Sequence, residues 1–373
     1  MSNGRRKIRI GVIGAGTITQ SVHLESLRRA GFDVRYVCDL SPSRAKQVAA
    51  SVGAVPTTSS EAVFAASDLD AVLIATPGSH AELSAAAIRA GKHVLAEKPL
   101  AFTVREVEEL ETLAEDHGVV TQVGYMKMFD PLLSTAMAEI GQYRSVKLVR
   151  ITVAHPADEP QVSHLRLANP ASDADSESIR RAQFYDRARA SEALPGASDA
   201  MLAFYSSVLN GSVIHEFSLL RALGFELPNH WEARLLSPLD GDEPPSFLAH
   251  SQKGETAFVL NWNWVPEYPE YDEELFVLAS NGRMELHLAK PYLLEARSRL
   301  KSCRFEGDLR KDTNYVAGHE TGFLLQLDAF ADAIINGQKN QATFAGVKKD
   351  IAQLQALAHA VATFLGETID TEV

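Results

Sequence analysis

The stretch Ile8-Arg-Ile-Gly-Val-Ile-Gly-Ala-Gly-Thr-Ile-Thr19 decides how the rest of the chain is organised. Its apolar, β-branched beginning predicts a buried parallel strand. Gly14 then allows a tight turn, and Gly16 has no Cβ, so a pyrophosphate can approach the backbone. The amides and the dipole of the following helix favour the negative charge of phosphates. The stretch therefore predicts a dinucleotide-binding turn, with Thr19 where such turns usually carry a third glycine.

A second strand, Val34–Cys38, follows at the spacing of a βαβ unit and ends in Asp39. An acidic residue at this tip is placed to bind a ribose 2′-hydroxyl and to repel a 2′-phosphate. The predicted cofactor is therefore NAD. NADP is the less favoured alternative, and it is retained because the basic residue Arg44 lies near Asp39 in the sequence. The alternative is a glycine-rich turn of an unrelated α/β protein, in which Asp39 is an ordinary helix cap.

Strands and helices continue to alternate as far as Gly124. Apolar runs predict further buried strands at Ala71–Ala75, His93–Ala96 and Val119–Val123. This alternation predicts a doubly wound parallel sheet of the Rossmann type with right-handed crossovers. Ligands bind such a sheet at the carboxyl ends of its strands, where the polar residues of this half are concentrated.

The second half of the chain has a different pattern. Thr256–Trp264 alternates between apolar and polar residues, and Asn281-Gly282 between two apolar runs is a strong hairpin signal. Residues 156–200 show little periodicity and are interpreted as either a lid or an irregular excursion.

These patterns together predict an α/β protein of two domains. A Rossmann domain over residues 1–126 precedes an α+β domain over residues 127–373, which has a large, mostly antiparallel sheet and two closing helices.

Composition narrows the class of protein. The net charge of −12 argues against nucleic acid or an anionic membrane as a partner. The 2 cysteines provide no disulfide framework, which fits a reducing cytoplasm. None of the 12 histidines has the paired spacing of metal ligands, so no metal site is predicted. No stretch approaches the length of a transmembrane helix.

Lys98 is the most informative single residue. It lies between Glu97 and Pro99 at the end of a predicted buried strand. A partly desolvated lysine has a destabilised ammonium and can exchange a proton near neutral pH. The alternative is a surface lysine that pairs with Glu97.

Four motifs together resemble the glucose-fructose oxidoreductase / inositol dehydrogenase / MocA family. They are Gly14-Ala-Gly-x-Ile18 with His23, Thr76-Pro-x-x-His80, Glu97-Lys-Pro99 and Gly124-Tyr125. The resemblance covers nearly the whole chain. It implies that Lys98 helps to bind substrate and nicotinamide, and that a histidine of the second domain is the acid/base.

That histidine corresponds to His215, which is predicted to lie in the first turns of a helix. Many members of the family have an aspartate four residues before the histidine and another three residues after it. Here those positions are Gly211 and Ser218, and Glu216 stands beside the histidine. The alternative for His215 is a core histidine that bonds to a backbone carbonyl.

The resemblance implies a set of site residues. The catalytic residues are predicted to be Lys98 and His215, and the substrate contacts Lys98, Tyr125, Lys127 and His215. A solvated charge is the alternative for Lys127, and a helix cap is the alternative for His80. The cofactor contacts are predicted to be Gly14, Ala15, Gly16, Thr17, Ile18, Asp39, Arg44, Thr76, Pro77, His80, Glu97 and Lys98.

The predicted reaction is reversible hydride transfer between NAD and a secondary hydroxyl of a sugar, sugar derivative or cyclitol. Two alternatives stay open. One is a redox-neutral enzyme of the same fold that retains NAD and cleaves glycosides. The other is a non-enzymatic NAD(P)-binding sensor or regulator. It is supported by Gly211, which stands where many members of the family have an aspartate. The resemblance also implies a homodimer or homotetramer formed through the second sheet, to which the Trp262 and Trp264 face is expected to contribute.

Overall fold

The computed structural model describes residues 6–168 and 173–370. The chain divides into two compact units. The first takes in the chain up to Met126, together with Leu165–Ala193 and Phe323–Ile351. The second takes in Lys127–His164, Leu194–Gly322 and the chain from Ala352 onward.

The first unit contains a six-stranded parallel sheet. Its strands are β1 Arg9–Ile13, β2 Asp33–Cys38, β3 Val55–Thr57, β4 Ala71–Ile74, β5 His93–Ala96 and β6 Thr121–Val123. The strand order is β3-β2-β1-β4-β5-β6, and every neighbouring pair is parallel. This order confirms the predicted doubly wound sheet. The short edge strand β3 was not predicted, because its three residues include a proline and are largely exposed.

Twelve α-helices are present in the described residues. They are α1 Leu24–Arg29, α2 Pro42–Val52, α3 Ser60–Ala65, α4 Ala81–Arg89, α5 Val104–His117, α6 Leu133–Ile140, α7 Asp158–Val162, α8 Ser176–Ala193, α9 Asp199–Phe204, α10 Ile214–Ala222, α11 Gly322–Asn336 and α12 Phe344–Leu365. A 3-10 turn covers Met126–Phe129, and π-helical turns cover Thr19–His23 and Tyr205–Val213. None of the helices in residues 6–168 and 173–370 is long and apolar enough to cross a membrane.

The core of the first unit joins its sheet to a helix that is distant in sequence. Ile10 and Leu73 of the sheet lie in one buried cluster with Leu327 and Phe330 of α11. Burial of each such side chain contributes roughly 1.5–3 kcal/mol. The apolar face of α11 therefore covers the six-stranded parallel sheet.

The second unit contains an eight-stranded sheet. Its strands are β7 Val146–His155, β8 Glu232–Leu235, β9 Phe247–Lys253, β10 Thr256–Trp264, β11 Asp272–Ala279, β12 Gly282–His287, β13 Arg299–Glu306 and β14 Leu309–Val316. The order is β14-β13-β12-β11-β7-β10-β9-β8, and within the described strands of this sheet only the pair β7–β10 is parallel. The large, mostly antiparallel sheet is thus confirmed.

The predicted hairpin is present but is shifted by one residue. Ala279 pairs with Gly282, so the two-residue loop is Ser280-Asn281. Gly282 begins β12 instead of closing the turn. A Cβ at this position would lie 2.6 Å from the carbonyl oxygen of Cys303, so the glycine is required by close strand packing.

The aromatic stripe of β10 belongs to the core of the second unit. Trp262 is 2% exposed, stacks against Phe247 and donates its indole N–H to Ser212 Oγ at 3.0 Å. The expectation that Trp262 contributes to a subunit interface is therefore wrong, because the chain's own side chains cover it.

Residues 156–200 are more regular than their composition suggests. They contain α7 and the 18-residue helix α8, so the interpretation of an irregular excursion is wrong for this part. Only Ala190 and Ala193 of α8 are buried, so the helix has no apolar stripe that sequence periodicity could detect. Polar contacts hold it instead: Tyr185 donates to Glu106 Oε1 at 2.7 Å, and Glu192 pairs with Arg105.

Candidate active site

The glycine turn after β1 has the geometry that its sequence predicts. Gly14 has a φ of +93°, and a Cβ on it would overlap the carbonyl oxygen of Ala75. Gly16 is different, because no heavy atom lies within 4 Å of the position that its Cβ would take. The backbone angle and the packing of the turn thus require a glycine at position 14, whereas Gly16 leaves space beside the turn.

Thr19 closes this turn in place of a third glycine. Its hydroxyl donates to the carbonyl oxygen of Gly14 at 2.6 Å, and the residue is fully buried. Thr19 also begins the π-helical turn Thr19–His23, and π-helical turns are frequent at functional sites. The turn ends at His23, which reaches the Glu97 carboxylate.

Asp39 is fixed at the tip of β2 by backbone amides. Its Oδ2 accepts from the N–H of Ala15, and its Oδ1 accepts from the N–H of Ser41, both at 2.9 Å. Arg44 Nη1 lies 3.8 Å from Oδ2. The cap of α2 is Ser41, whose hydroxyl accepts from the N–H of Arg44 at 3.1 Å. Asp39 is therefore not an ordinary helix cap, and this alternative is wrong.

These features fit a dinucleotide. The open space at Gly16 admits a pyrophosphate, and the carboxylate of Asp39 retains lone pairs for ribose hydroxyls. Thr17 is exposed beside the turn, whereas Ile18 packs against the core cluster. Thr76 and Pro77 follow β4 at the same edge of the sheet.

Glu97 is a buried hub directly before Lys98. Its Oε1 lies 2.8 Å from His23 Nε2, and its Oε2 accepts from the backbone N–H of Lys98 at 3.2 Å. Burial raises the pKa of Glu97, but the hydrogen bond and charge of His23 lower it further, so that the net shift is downward. A Cβ at Gly124 would lie 2.6 Å from Glu97 Oε1, which explains why position 124 carries a glycine.

Lys98 and His80 are connected through Pro99. Lys98 is half-buried, and its bond to Pro99 is cis. His80 Nδ1–H donates to the carbonyl of Pro99 at 2.7 Å, and its side chain does not cap α4. His80 occupies the N-cap position of α4, but without a capping hydrogen bond from its ring. Burial lowers the pKa of His80, so the ring is neutral at physiological pH.

His215 lies in the second unit, in the first turn of α10, as predicted. The residue is 8% exposed; Leu219 and Leu220 on the same helix are buried, as is Leu223 at its C-cap. The helix follows directly from the π-helical turn Tyr205–Val213, which shifts the phase of the side chains before the histidine.

Four buried polar side chains form a second feature of this unit, the Lys127 cluster: Lys127, Glu216, Tyr271 and Glu273. The Lys127 ammonium donates to Glu216 Oε1 at 2.7 Å and to Glu273 Oε2, and the Tyr271 hydroxyl donates to Glu273 Oε2 at 2.6 Å. Lys127 is 6% exposed, so a solvated charge is excluded. Its predicted contact with substrate stays a prediction.

Burial and charge shift the pKa values of this cluster. Burial raises the pKa of Glu216 to about 7, although the nearby Lys127 charge opposes the change. Burial alone would lower the pKa of Lys127, but the two carboxylates outweigh it and raise the value. Burial and the Glu273 charge raise the pKa of Tyr271. The cluster thus keeps its ammonium charged while one carboxyl group titrates near neutral pH.

Tyr271 and Glu273 were not identified from the sequence. One signal was available, because Glu273 lies between Asp272 and Glu274 in an alternating strand and occupies an inward position. A charged residue on the core face of a strand indicates a buried partner.

The fold and the turn define the first unit as a nucleotide-binding Rossmann unit. Residues 8–125 match the family model of the Gfo/Idh/MocA oxidoreductases, described as "Oxidoreductase family, NAD-binding Rossmann fold". Residues 8–125 are thus similar to that family, in agreement with the resemblance of the motifs.

Curated relatives align with part of the chain. Inositol 2-dehydrogenase 3 of Saccharopolyspora erythraea is 40% identical over 127 residues, which cover 33% of this chain and 37% of the relative. A myo-inositol dehydrogenase of Streptomyces leeuwenhoekii is 35% identical over 163 residues, or 42% of this chain and 49% of the relative. The match thus spans less than half of the length of these relatives.

Solved structures share the fold over nearly the whole chain. A 3-ketoreductase from Actinomadura kijaniata, in complex with NADP and TDP-benzene, has a TM-score of 0.68 at 20% identity and covers 96% of this chain and 98% of its own. The UDP-N-acetylglucosamine 3-dehydrogenase of Acidithiobacillus ferrooxidans has a TM-score of 0.68 at 19% identity, with 96% and 99% covered. At these identities the likeness concerns the fold.

Proposed function

We propose that this protein is an NAD-dependent oxidoreductase that transfers a hydride between nicotinamide and a secondary hydroxyl or ketone of a sugar, sugar derivative or cyclitol. The observation that carries the proposal is the glycine turn, where Asp39 accepts from the Ala15 amide and Gly16 leaves open space. The family match over residues 8–125 supports the cofactor class.

The chain's own residues supply the proton chemistry of this reaction. The residues of the glycine turn and Asp39 would hold NAD, which would supply the hydride acceptor or, in its reduced form, the hydride donor. Oxidation of a hydroxyl also requires a group that takes its proton, and we assign this role to His215 with assistance from Lys98. Glu97 positions Lys98 through the backbone hydrogen bond, and His80 holds the carbonyl of Pro99.

The substrate class rests on two kinds of support. The relatives named above are inositol dehydrogenases, and the neighbouring structures include enzymes named for a 3-keto or 3-hydroxy position. The polar residues Lys98, Tyr125 and His215 suit a substrate with several hydroxyl groups. We assign Lys127 the role of holding Glu216 in place beside His215 in the helix.

We also propose a homodimer or homotetramer that forms through the second sheet. Phe305 and Val316, on strands at one side of that sheet, are 62% and 59% exposed. Light scattering of the wild type and of Phe305→Asp tests this assembly.

We also propose a cytoplasmic location, with which the two free thiols of Cys38 and Cys303 are consistent.

The test begins with titration of the purified protein with NADH and with NADPH. A panel of inositols, sugars and nucleotide sugars is then assayed with the preferred cofactor. We expect tight NADH binding and turnover that falls at least about 100-fold in Lys98→Ala and in His215→Ala. Lys46→Ala and His164→Ala, which change exposed residues, serve as matched controls.

Other results would redirect the proposal. Tight NADH binding without turnover across the panel would favour a redox-neutral enzyme or a sensor. Full activity in both Lys98→Ala and His215→Ala would remove these residues from the mechanism. If neither dinucleotide binds, the proposal fails at its first step.

A further inference from the structure

The described parts of the segment Leu165–Ala193, residues 165–168 and 173–193, follow the carboxyl edge of the parallel sheet. They contact three loops, each of which follows a strand of that sheet. Near β1, Ala168 packs with Ala15, and its N–H donates to Gln20 Oε1 at 2.6 Å. After β2, Asp173 bonds to the first turn of α2. After β4, Asp186 accepts from the N–H of Ser79 at 3.1 Å. This edge is where a dinucleotide binds in such folds, so the segment runs along the proposed cofactor site.

The contact of Asp173 is an anion contact. Its carboxylate accepts from the Ser41 hydroxyl and, at 3.0 Å each, from the backbone N–H and the hydroxyl of Ser43. The Ser41 hydroxyl lowers the pKa of Asp173 further than any other group, so the carboxylate is charged at neutral pH. Three donors at the start of a helix are the arrangement that a phosphate group also uses.

These donors lie directly beside the ribose residue. Ser41 follows Asp39 by two positions, and its own N–H donates to Asp39 Oδ1. A ribose bound by Asp39 would therefore direct any 2′-substituent toward the first turn of α2. A 2′-hydroxyl needs no anion-binding donors, whereas a 2′-phosphate carries about −1.5 to −2 charge and requires them.

We propose that Asp173 determines cofactor specificity, because it occupies the anion-binding donors of Ser41 and Ser43 and so excludes a 2′-phosphate. The inference rests on the proposed dinucleotide binding and adds a second source of selectivity to Asp39. The Asp173 carboxylate repels the 2′-phosphate and also occupies the Ser41 and Ser43 donors that the phosphate would need. Both effects weaken the binding of NADP, and neither acts on NAD. The determinant is carried by a distant segment of the chain and not by the βαβ unit itself.

The experiment measures dissociation constants for NADH and NADPH by cofactor fluorescence, without a substrate. In Asp173→Ala the Ser41 and Ser43 donors are released. We expect NADPH affinity to increase by at least about tenfold, with NADH affinity changed by less than about twofold. Adding Ser43→Ala to this variant should abolish most of the gain for NADPH, because a donor that the phosphate needs is lost.

A matched control separates specificity from loosening of the segment. Asp175→Ala removes a nearby carboxylate that bonds to Glu177 N–H and Ser178 at the start of α8. This variant should leave the ratio of NADPH to NADH affinity unchanged.

The inference is overturned if wild type and Asp173→Ala bind NADH but have the same ratio, or if Asp175→Ala raises NADPH affinity equally. Absence of binding of either dinucleotide to the wild type is a different result, which rejects the proposed function itself.

Discussion

The glycine turn of the first unit and the Lys127 cluster of the second unit are built on opposite principles. The turn is held by backbone groups: the amide of Ala15 donates to Asp39, and the carbonyl of Gly14 accepts from Thr19. The cluster is held by buried side-chain charges, with one ammonium between two carboxylates. The turn therefore depends on space and backbone angle, whereas the cluster depends on a complete set of charged partners.

The strongest test of this contrast removes the cation. Lys127→Met leaves Glu216 and Glu273 buried without their ammonium, and we expect a loss of about 3–5 kcal/mol in the free energy of unfolding. Urea denaturation at pH 7 measures the change. The control is Lys147→Met, which breaks the exposed pair with Glu255 and should change the free energy of unfolding far less. Equal effects of the two changes would show that the cluster is not energetically distinct.

The second test separates the two glycines of the turn. Gly14→Ala must place a Cβ against the Ala75 carbonyl at a φ of +93°, so we expect a loss of about 2–4 kcal/mol. Gly16→Ala has open space at its Cβ and should cost about 1 kcal/mol or less. Thermal unfolding compares the two variants.

The variant that loses little stability, Gly16→Ala, should be the one that loses cofactor affinity. Gly16→Ala is expected to remain folded while its NADH affinity falls, because the added methyl group occupies the space proposed for the pyrophosphate. NADH titration of the folded variant measures this. Wild-type affinity in Gly16→Ala would contradict the role assigned to that space.

The third and smallest effect concerns pH. The pKa of Glu216 is raised to about 7 in the folded protein, so the folded state binds more protons than the unfolded state between about pH 4.5 and 7. The contribution of this group to stability is therefore complete below about pH 4.5 and is lost as pH rises through about 7. Glu216→Gln should flatten this part of the stability profile.

Denaturation curves of the wild type and of Glu216→Gln at pH 5, 6, 7 and 8 test the slope. Glu255→Gln is the control, because Glu255 belongs to an exposed pair and its pKa is lowered instead. A slope that is the same in the wild type and in Glu216→Gln would rule out Glu216 as the titrating group.

The sequence predicted those parts of the fold whose signals are local. Thr103 caps α5 with a capping box, and Gly118 ends that helix in the left-handed conformation; both are local signals for the start and the end of a helix. The strand β10 has the predicted bounds because its inward and outward residues alternate. These signals depend only on residues close in sequence, so they can be recognised without knowing which elements pack against the helix or strand.

Helix α8 shows why another part could not be predicted. Its exposed residues carry no apolar stripe, and its supports, Glu106 and Arg105, lie more than 70 positions earlier in the chain. Tyr271 and Glu273 of the Lys127 cluster were missed for the same reason, since a buried charge is recognised by its partners. Those partners lie on different elements of the second unit.

The sequence by itself determined the glycine turn, the acid at the end of β2, the caps of α5 and the presence of the β11–β12 hairpin, whose turn lies one residue earlier than its sequence signal. Each of these depends on steric limits or hydrogen bonds within a few residues, and the chain cannot avoid them. Only the tertiary structure decided that Glu97 bonds to His23, that Lys127 lies between two carboxylates and that Asp173 occupies the donors of Ser41 and Ser43. Charged groups are satisfied by whichever partners folding brings near, and that choice depends on the packing of the unit as a whole.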